Sequence, residues 1–239
     1  SCWRSVSAPP KRPPERARSS ASAVIAAAGS GQRLGAGGPK AFVELAGRPL
    51  LEWTLEALRG AASIAEVIVA APPGSESRVS ELGVLAVAGG EHRSESVANA
   101  LELVGEELVV VHDAARPLVT PGLVDAVVGE LAAEDAAAGV IAAAPVGDTV
   151  KEASEEGLVE RTLDRSRLWA VQTPQAFRTD ALREALAVAP SDLAGATDEA
   201  MLVERRGGAV LIHSAPPENI KVTTPFDLRA AELLLRERS

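Results

Sequence analysis

The stretch AAAGSGQRLGAGGPKAF, residues 26–42, joins an apolar run to a glycine-rich turn that carries Arg33 and Lys40. Gly29 and Gly31 let the backbone turn its N–H groups toward an anion. Two cations on such a loop suit a ligand with several phosphates whose charge moves during a reaction. Spacing excludes both familiar phosphate loops. A Walker-type loop needs a hydroxyl residue after its lysine, but Lys40 is followed by Ala41; the dinucleotide fingerprint needs a third glycine one place before Gly35. A second stretch, GGEHRSESVANAL (89–101), places Gly90 and Glu91 at a strand end and Ser94 and Ser96 in the first turn of a helix. Free N–H groups and hydroxyls there could read a base edge or hold phosphate. A third, VVVHDAARPLV (109–119), sets Asp113 directly after a buried strand. A carboxylate at that edge suits a magnesium ion bridging phosphates, or a substrate hydroxyl. His112 beside it has no second histidine or cysteine at ligand or triad spacing and reads as structural. Four later segments, PVGDTVK (145–151), TLDRSRLWAVQTPQAF (162–177), ATDEA (196–200) and ENIKVTTPFDL (218–228), bring Thr149, Arg165, Thr173, Thr197 and Lys221 toward the same rim.

The elements that must position these residues alternate in kind. AVIAAAG (23–29), EVIVAAP (66–72), GVLAVAGG (83–90), ELVVVHDAA (107–115) and AGVIAAAPV (138–146) read as short buried strands. Between them, 50–60 puts Leu51, Leu55 and Leu58 on one helical face, 93–104 does so with Val97, Leu101 and Val104, and 121–134 opens with Thr120 as N-cap and Pro121 in its first turn. Such alternation predicts βαβ units in a mostly parallel sheet covered on both faces, with ligands beyond the carboxyl ends of the strands. After Val146 the pattern breaks. DTVKEA and LVERTL around Glu155-Glu156-Gly157 predict a polar hairpin arm over about 147–170, too polar to be stable alone and best held by a second copy of the chain. Helices are then expected over 179–189 and from about 197, strands over 209–216 and 219–224, and a last helix opening at Pro225 behind a Thr224 cap.

AAAGSGQRLGAGGPKAFVELAGRPLLEWTLEAL resembles the signature of nucleotidyltransferases that join a nucleoside monophosphate to a phosphorylated alcohol or sugar, a G-x-G-x-R followed by P-K. With HDAARP, TPQAF and NIKVT in this order, residues 22–237 resemble the 2-C-methyl-D-erythritol 4-phosphate cytidylyltransferase family of the non-mevalonate isoprenoid pathway. Ribitol 5-phosphate cytidylyltransferases share the loop, similar strand ends and the arm. The resemblance implies one Rossmann-like domain over 22–239, a mostly parallel sheet with helices on both faces and a protruding β-arm for dimerisation. It implies CTP and a polyol phosphate as substrates, Mg2+ as cofactor and a homodimer in the cytoplasm. Arg33, Lys40 and Lys221 are the implied catalytic residues. Ala27, Ala28, Gly29, Gly31, Gly90, Glu91 and Ser96 are implied to bind the nucleotide; Glu91 stands where the family often has Asp. Asp113, Arg116, Thr149, Arg165, Thr173 and Thr197 are implied on the acceptor side, Thr149 and Arg165 from a partner's arm, with Asp113 also near the metal.

Composition narrows the field independently. A formal charge of −9 argues against a broad phosphate-contacting surface for nucleic acid, and no apolar run approaches a membrane span. One cysteine excludes an internal disulfide framework and fits a reducing compartment. In residues 1–20, Arg4, Lys11, Arg12, Arg16 and Arg18 against Glu15 give +4, leaving −13 elsewhere, and four prolines forbid a continuous helix. A disordered basic tail over 1–21 is expected. The three histidines and the absence of a Ser-His-Asp or Cys-His arrangement agree with chemistry that needs no nucleophilic side chain. In-line attack of one phosphate on another, steered by cations, meets that condition. A non-catalytic nucleotide sensor would have no need of Arg33, Lys40, Asp113 and Lys221.

Overall fold

The computed structural model describes residues 20–31, 34, 38–188 and 190–238. The expected tail therefore falls almost entirely outside the described residues, as does Arg33. β1 (Ala21–Ala26) begins one residue inside the expected tail boundary. A small hairpin, β2 (Glu44–Leu45) and β3 (Arg48–Pro49), leads into α1 (Leu50–Gly60). The alternation then runs β4 (Ile64–Ala71), α2 (Glu76–Ser80), β5 (Leu85–Ala88), α3 (Arg93–Leu101), β6 (Leu108–Asp113), α4 (Pro121–Ala133) and β7 (Gly139–Pro145). Thr120 caps α4 as expected, its hydroxyl accepting the Leu123 N–H at 3.3 Å.

The arm forms β8 (Lys151–Ala153) and β9 (Val159–Thr162), and the chain returns through β10 (Trp169–Arg178), α5 (Thr179–Leu186), α6 (Pro190–Ala194), α7 (Glu199–Arg205), β11 (Val210–Ser214) and α8 (Pro225–Arg238). Seven strands make one sheet in the order β11-β7-β10-β6-β1-β4-β5. Every neighbouring pair is parallel except those of β10, which runs antiparallel to both β6 and β7. Residues 219–224 are not a strand. Their polar groups go to side chains and to a loop carbonyl, with the Val222 N–H on Ala115 O at 2.8 Å, so no ladder forms.

Burial on both faces explains the near-continuous apolar strands. Ala23 and Ile25 of β1 pack with Leu51, Leu55 and Leu58 of α1 and Val127 and Leu131 of α4, while Val24 points to the opposite face with Val97 and Leu101 of α3 and Leu182 of α5. Each such fully buried leucine contributes about 1.5–3 kcal/mol of transfer free energy. Phe177 of β10 is wholly buried in the second cluster, so Phe177→Ala would cost about 3–5 kcal/mol.

Register fixes the site. Ala26 pairs with Asp113 on one side and Ala70 on the other, and Ala71 pairs with Ala88. The carboxyl ends of β1, β4, β5 and β6 are therefore level, and the loops after them meet at one rim. The arm leaves this body with every residue of β8 and β9 exposed, Leu158 at 73% and Val159 at 54%. Its ion pair, Arg161 Nε to Glu152 Oε2 at 2.5 Å, is itself exposed and contributes little.

Candidate active site

A cleft of about 610 Å³ opens at that rim, between the loops that follow β1, β5 and β6. In the first loop the Lys40 N–H donates to Gly29 O at 3.0 Å and the Leu34 N–H to Gly31 O at 2.9 Å, folding the chain back on itself. Gly31 sits at φ +71°, and a Cβ there would lie 2.7 Å from Gly38 O. No other residue type fits without moving the loop. In the second loop Ser96 Oγ accepts the Gly90 N–H at 3.0 Å and donates to His92 O at 3.0 Å. With its proton committed, the hydroxyl offers a ligand a lone pair. The Glu95 carboxylate accepts the N–H groups of Glu91 and His92 at 2.9 and 3.3 Å, favoured by the α3 N-terminus.

The third loop carries most of the charge. Asp113 is almost wholly buried, and its two oxygens face two cations: Arg93 Nε on Oδ1 at 2.8 Å and Lys221 Nζ on Oδ2 at 2.7 Å. Burial alone would raise the Asp113 pKa, but those charges and their hydrogen bonds outweigh it and hold the carboxyl well below the usual range. Arg93 is shared in turn: Nη1 donates to Glu199 Oε2, and Glu199 also accepts from Ser94 Oγ at 3.3 Å. Burial would lower the Arg93 pKa, and the two carboxylates raise it instead.

Behind Asp113 lies a neutral polar brace. His112 Nε2 bonds the Arg116 carbonyl at 3.2 Å. A carbonyl can only accept, so Nε2 carries the proton and Nδ1 accepts from Thr173 Oγ1 at 3.0 Å. Burial pushes His112 down to about 4, with the Arg116 and Arg93 charges adding to it. The same Thr173 hydroxyl accepts the Asp113 N–H at 3.1 Å. Arg116 Nη1 donates to Asn219 O at 2.7 Å, and the buried Asn219 amide donates to Gln172 Oε1 and Thr173 O, both at 2.8 Å. The segment bearing Lys221 is thereby pinned to β10 and to the loop after β6.

The cleft lining gathers Ala27, Ala28, Gly29, Gly31, Lys40, Gly90, Glu91, Ser96, Asp113 and Lys221. Other expected residues lie elsewhere. Arg116 and Thr173 are buried in the brace. Thr197 is exposed before α7, with its hydroxyl on Met201 Sδ at 3.8 Å. Thr149 and Arg165 are exposed on the arm, Arg165 Nη1 donating to Gly147 O at 2.6 Å. Sequence reasoning missed Arg93, which lines the cleft, and its buried partner Glu199. Arg93 stood inside the quoted GGEHRSE stretch and Glu199 inside ATDEA, but nothing local links them.

Among the described residues no three His, Cys, Asp or Glu side chains cluster as a metal cage. Glu91 and Asp113 are the cleft carboxylates. Each Asp113 oxygen accepts one of the two bonds open to it, so the residue keeps capacity for a hard cation that takes its remaining oxygens from phosphates and water. No described helix is long and apolar enough to cross a membrane.

Residues 21–237 match the family model for 2-C-methyl-D-erythritol 4-phosphate cytidylyltransferase. A relative with that name from Pelotomaculum thermopropionicum is 44% identical over 227 residues, covering 90% of this chain and 94% of its own. One from Frankia casuarinae is 47% identical over 218 residues, covering 89% and 80%. The crystal structure of 2-C-methyl-D-erythritol 4-phosphate cytidylyltransferase from Thermus thermophilus superposes with TM-score 0.76 at 41% identity, covering 91% of this chain and 99% of that one.

Proposed function

Because the chain belongs to the 2-C-methyl-D-erythritol 4-phosphate cytidylyltransferase family, and so transfers CMP from CTP to that acceptor in isoprenoid precursor biosynthesis, we propose how its residues divide the work. A phosphate oxygen of the acceptor attacks the α-phosphorus of CTP in line. The new P–O bond forms as the α–β bridging bond breaks, giving 4-diphosphocytidyl-2-C-methyl-D-erythritol and pyrophosphate. A phosphomonoester is already an adequate nucleophile near neutral pH, so the protein must bring together two anions that repel. Lys40, Lys221 and Arg93 on one cleft do this, and the pairing of Arg93 and Lys221 with Asp113 inside it is the observation that carries the reading.

In this division Arg33 and Lys40 hold the triphosphate and follow its charge to the departing pyrophosphate, and Lys221 stabilises the transition state. The backbone at Ala27, Ala28, Gly29, Gly31, Gly90 and Glu91, with the Ser96 lone pair, receives cytosine and ribose. Asp113 receives the acceptor and Mg2+; the ion supplies charge neutralisation across the phosphates. Loss of one positioned cation typically costs about 3 kcal/mol, or 10²-fold or more in rate. Thr149 and Arg165 meet the acceptor phosphate of a partner subunit in a homodimer, a role that the exposed Leu158 and Val159 of the arm support, because a two-stranded hairpin is marginal in water. Thr197, Arg116 and Thr173 complete the acceptor side, the last two from the brace. A single cysteine fits a cytoplasmic enzyme.

Pyrophosphate release from CTP, ATP, UTP and GTP, each with 2-C-methyl-D-erythritol 4-phosphate or D-ribitol 5-phosphate and with Mg2+ or EDTA, tests base, acceptor and metal together. The expected signal is CTP with methylerythritol phosphate and Mg2+. Preference for ribitol phosphate, or full turnover in EDTA, would overturn the corresponding assignment.

A further inference from the structure

Glu199 lies outside the cleft lining, yet its wholly buried carboxylate reaches the cleft through a single side chain. It is the first residue of α7, directly after Asp198, which caps the helix by accepting the Met201 N–H at 3.0 Å. The helix N-terminus favours a carboxylate there, but its ion pair among the described residues is with Arg93 on another helix. Arg93 passes the connection to Asp113, and Asp113 passes it to Lys221. Two carboxylates and two cations thus alternate from α7 to the cleft.

A guanidinium is a planar fork that prefers to meet a carboxylate with two parallel N–H bonds. Here Nη1 is committed to Glu199, so Arg93 presents Nε to Asp113 Oδ1 while Oδ2 is engaged by the Lys221 ammonium. Without the Glu199 charge, Asp113 would be the remaining carboxylate partner of Arg93. The fork would then turn to face both Asp113 oxygens and displace the ammonium. Breaking a buried pair on one side leaves the other charge to find a new partner.

We propose that Glu199 is a positioning residue for cytidylyl transfer: it holds Arg93 turned so that Asp113 keeps one oxygen for Lys221. The inference rests on the assignment of Asp113 and Lys221 to the reacting site. It gives the acceptor-side segment 196–200 a mechanical link to the nucleotide-side loop 89–93, because Glu199 belongs to the first and Arg93 to the second.

The test is a double-mutant cycle of Glu199→Gln and Lys221→Met, read as kcat and CTP KM with thermal melting as the folding control. Glu199→Gln should lower kcat about tenfold or more while CTP KM changes less than about threefold, since the ground-state nucleotide contacts remain. In the double variant the Glu199→Gln loss should shrink to within about threefold, because the ammonium it served is gone. Losses that multiply fully would show Glu199 acting only through packing and would overturn the proposal. If Glu199→Gln does not fold, Arg93→Lys decides: its ammonium cannot bridge two carboxylates as a fork, so the same kcat loss and the same non-additivity with Lys221→Met are expected. Wild-type kcat in Arg93→Lys overturns the proposal. Wild-type kcat in Lys221→Met instead removes the underlying site assignment, a distinct failure.

Discussion

Gly89 offers a direct measure of how closely the two walls of the proposed nucleotide site approach. It directly follows β5 with its N–H on Ala71 O at 2.8 Å, and a Cβ placed there would lie 2.3 Å from Ala28 Cβ, 3.0 Å from Ala71 O and 3.1 Å from Ser96 Oγ. Carbon atoms settle at about 3.5–4.0 Å, so Gly89→Ala must part the two methyls by more than about 1 Å. Neither can rotate away, since each is fixed to backbone. The displacement falls between the loop after β1 and the loop after β5, the proposed seats of CTP. A misplacement of about 1 Å costs on the order of 10²-fold in rate, about 2.7 kcal/mol of barrier, and the overpacking itself costs about 1–3 kcal/mol of stability. Steady-state pyrophosphate release with CTP varied, together with thermal melting, reads both. Gly129→Ala is the matched control: it lies in α4 with nothing within 4 Å of the added carbon, so it should gain about 0.5–1 kcal/mol with unchanged kinetics. A Gly89→Ala enzyme within about threefold of wild type in kcat/KM for CTP would refute the inference that these walls are fixed against each other.

Lys40→Ala should depress kcat far more than it weakens CTP binding, because its charge counts most as pyrophosphate departs; equal losses in both would remove the transition-state role. His112 ionises near 6.5 when unfolded and at about 4 when folded. It binds its proton more tightly unfolded, so its contribution is full above pH 6.5 and is lost as pH falls from 6.5 toward 4, by roughly 3 kcal/mol. Urea unfolding across that window should show a steeper loss for wild type than for His112→Gln, and parallel curves would contradict the buried neutral ring. Mixing Arg165→Ala with Lys40→Ala protein should recover activity above both parents if the arm serves a neighbouring subunit, since one hybrid site would be whole. No recovery after subunit exchange would rule that arrangement out.

The βαβ body was legible because β1, β4, β5, β6 and β7 are short apolar runs, and α1, α3 and α4 repeat their leucines and valines on one face. β10 was not. Its sequence, WAVQTPQAFR, carries a proline and two glutamines and was assigned no strand, yet it lies between two strands while Gln172 and Gln175 find internal partners. The β-branched run at 219–224 misled in the opposite direction, since its polar groups engage Arg116, Gln172, Thr173 and Ala115 rather than a ladder. Residues right after strands reached the cleft because strand polarity alone sends them there. The Arg93–Glu199 pair had no such signal, because 106 positions separate its partners and each sits in a charged stretch typical of a solvated helix start.

The antiparallel strand also bears on how the enzyme is made. β6 and β7 never pair with each other; each pairs with β10, which the ribosome delivers after both. A nascent chain that ends at Pro145 therefore leaves the β6 edge open and β7 without a sheet partner, since β11 also comes later, the kind of surface that recruits stray strands. When residues 169–178 insert, they tie β7 to β6 and bring Thr173 to the Asp113 N–H in the same event. The joining of β7 to β6 and the bracing of Asp113 thus coincide, and any fragment stopping before Trp169 is born without either.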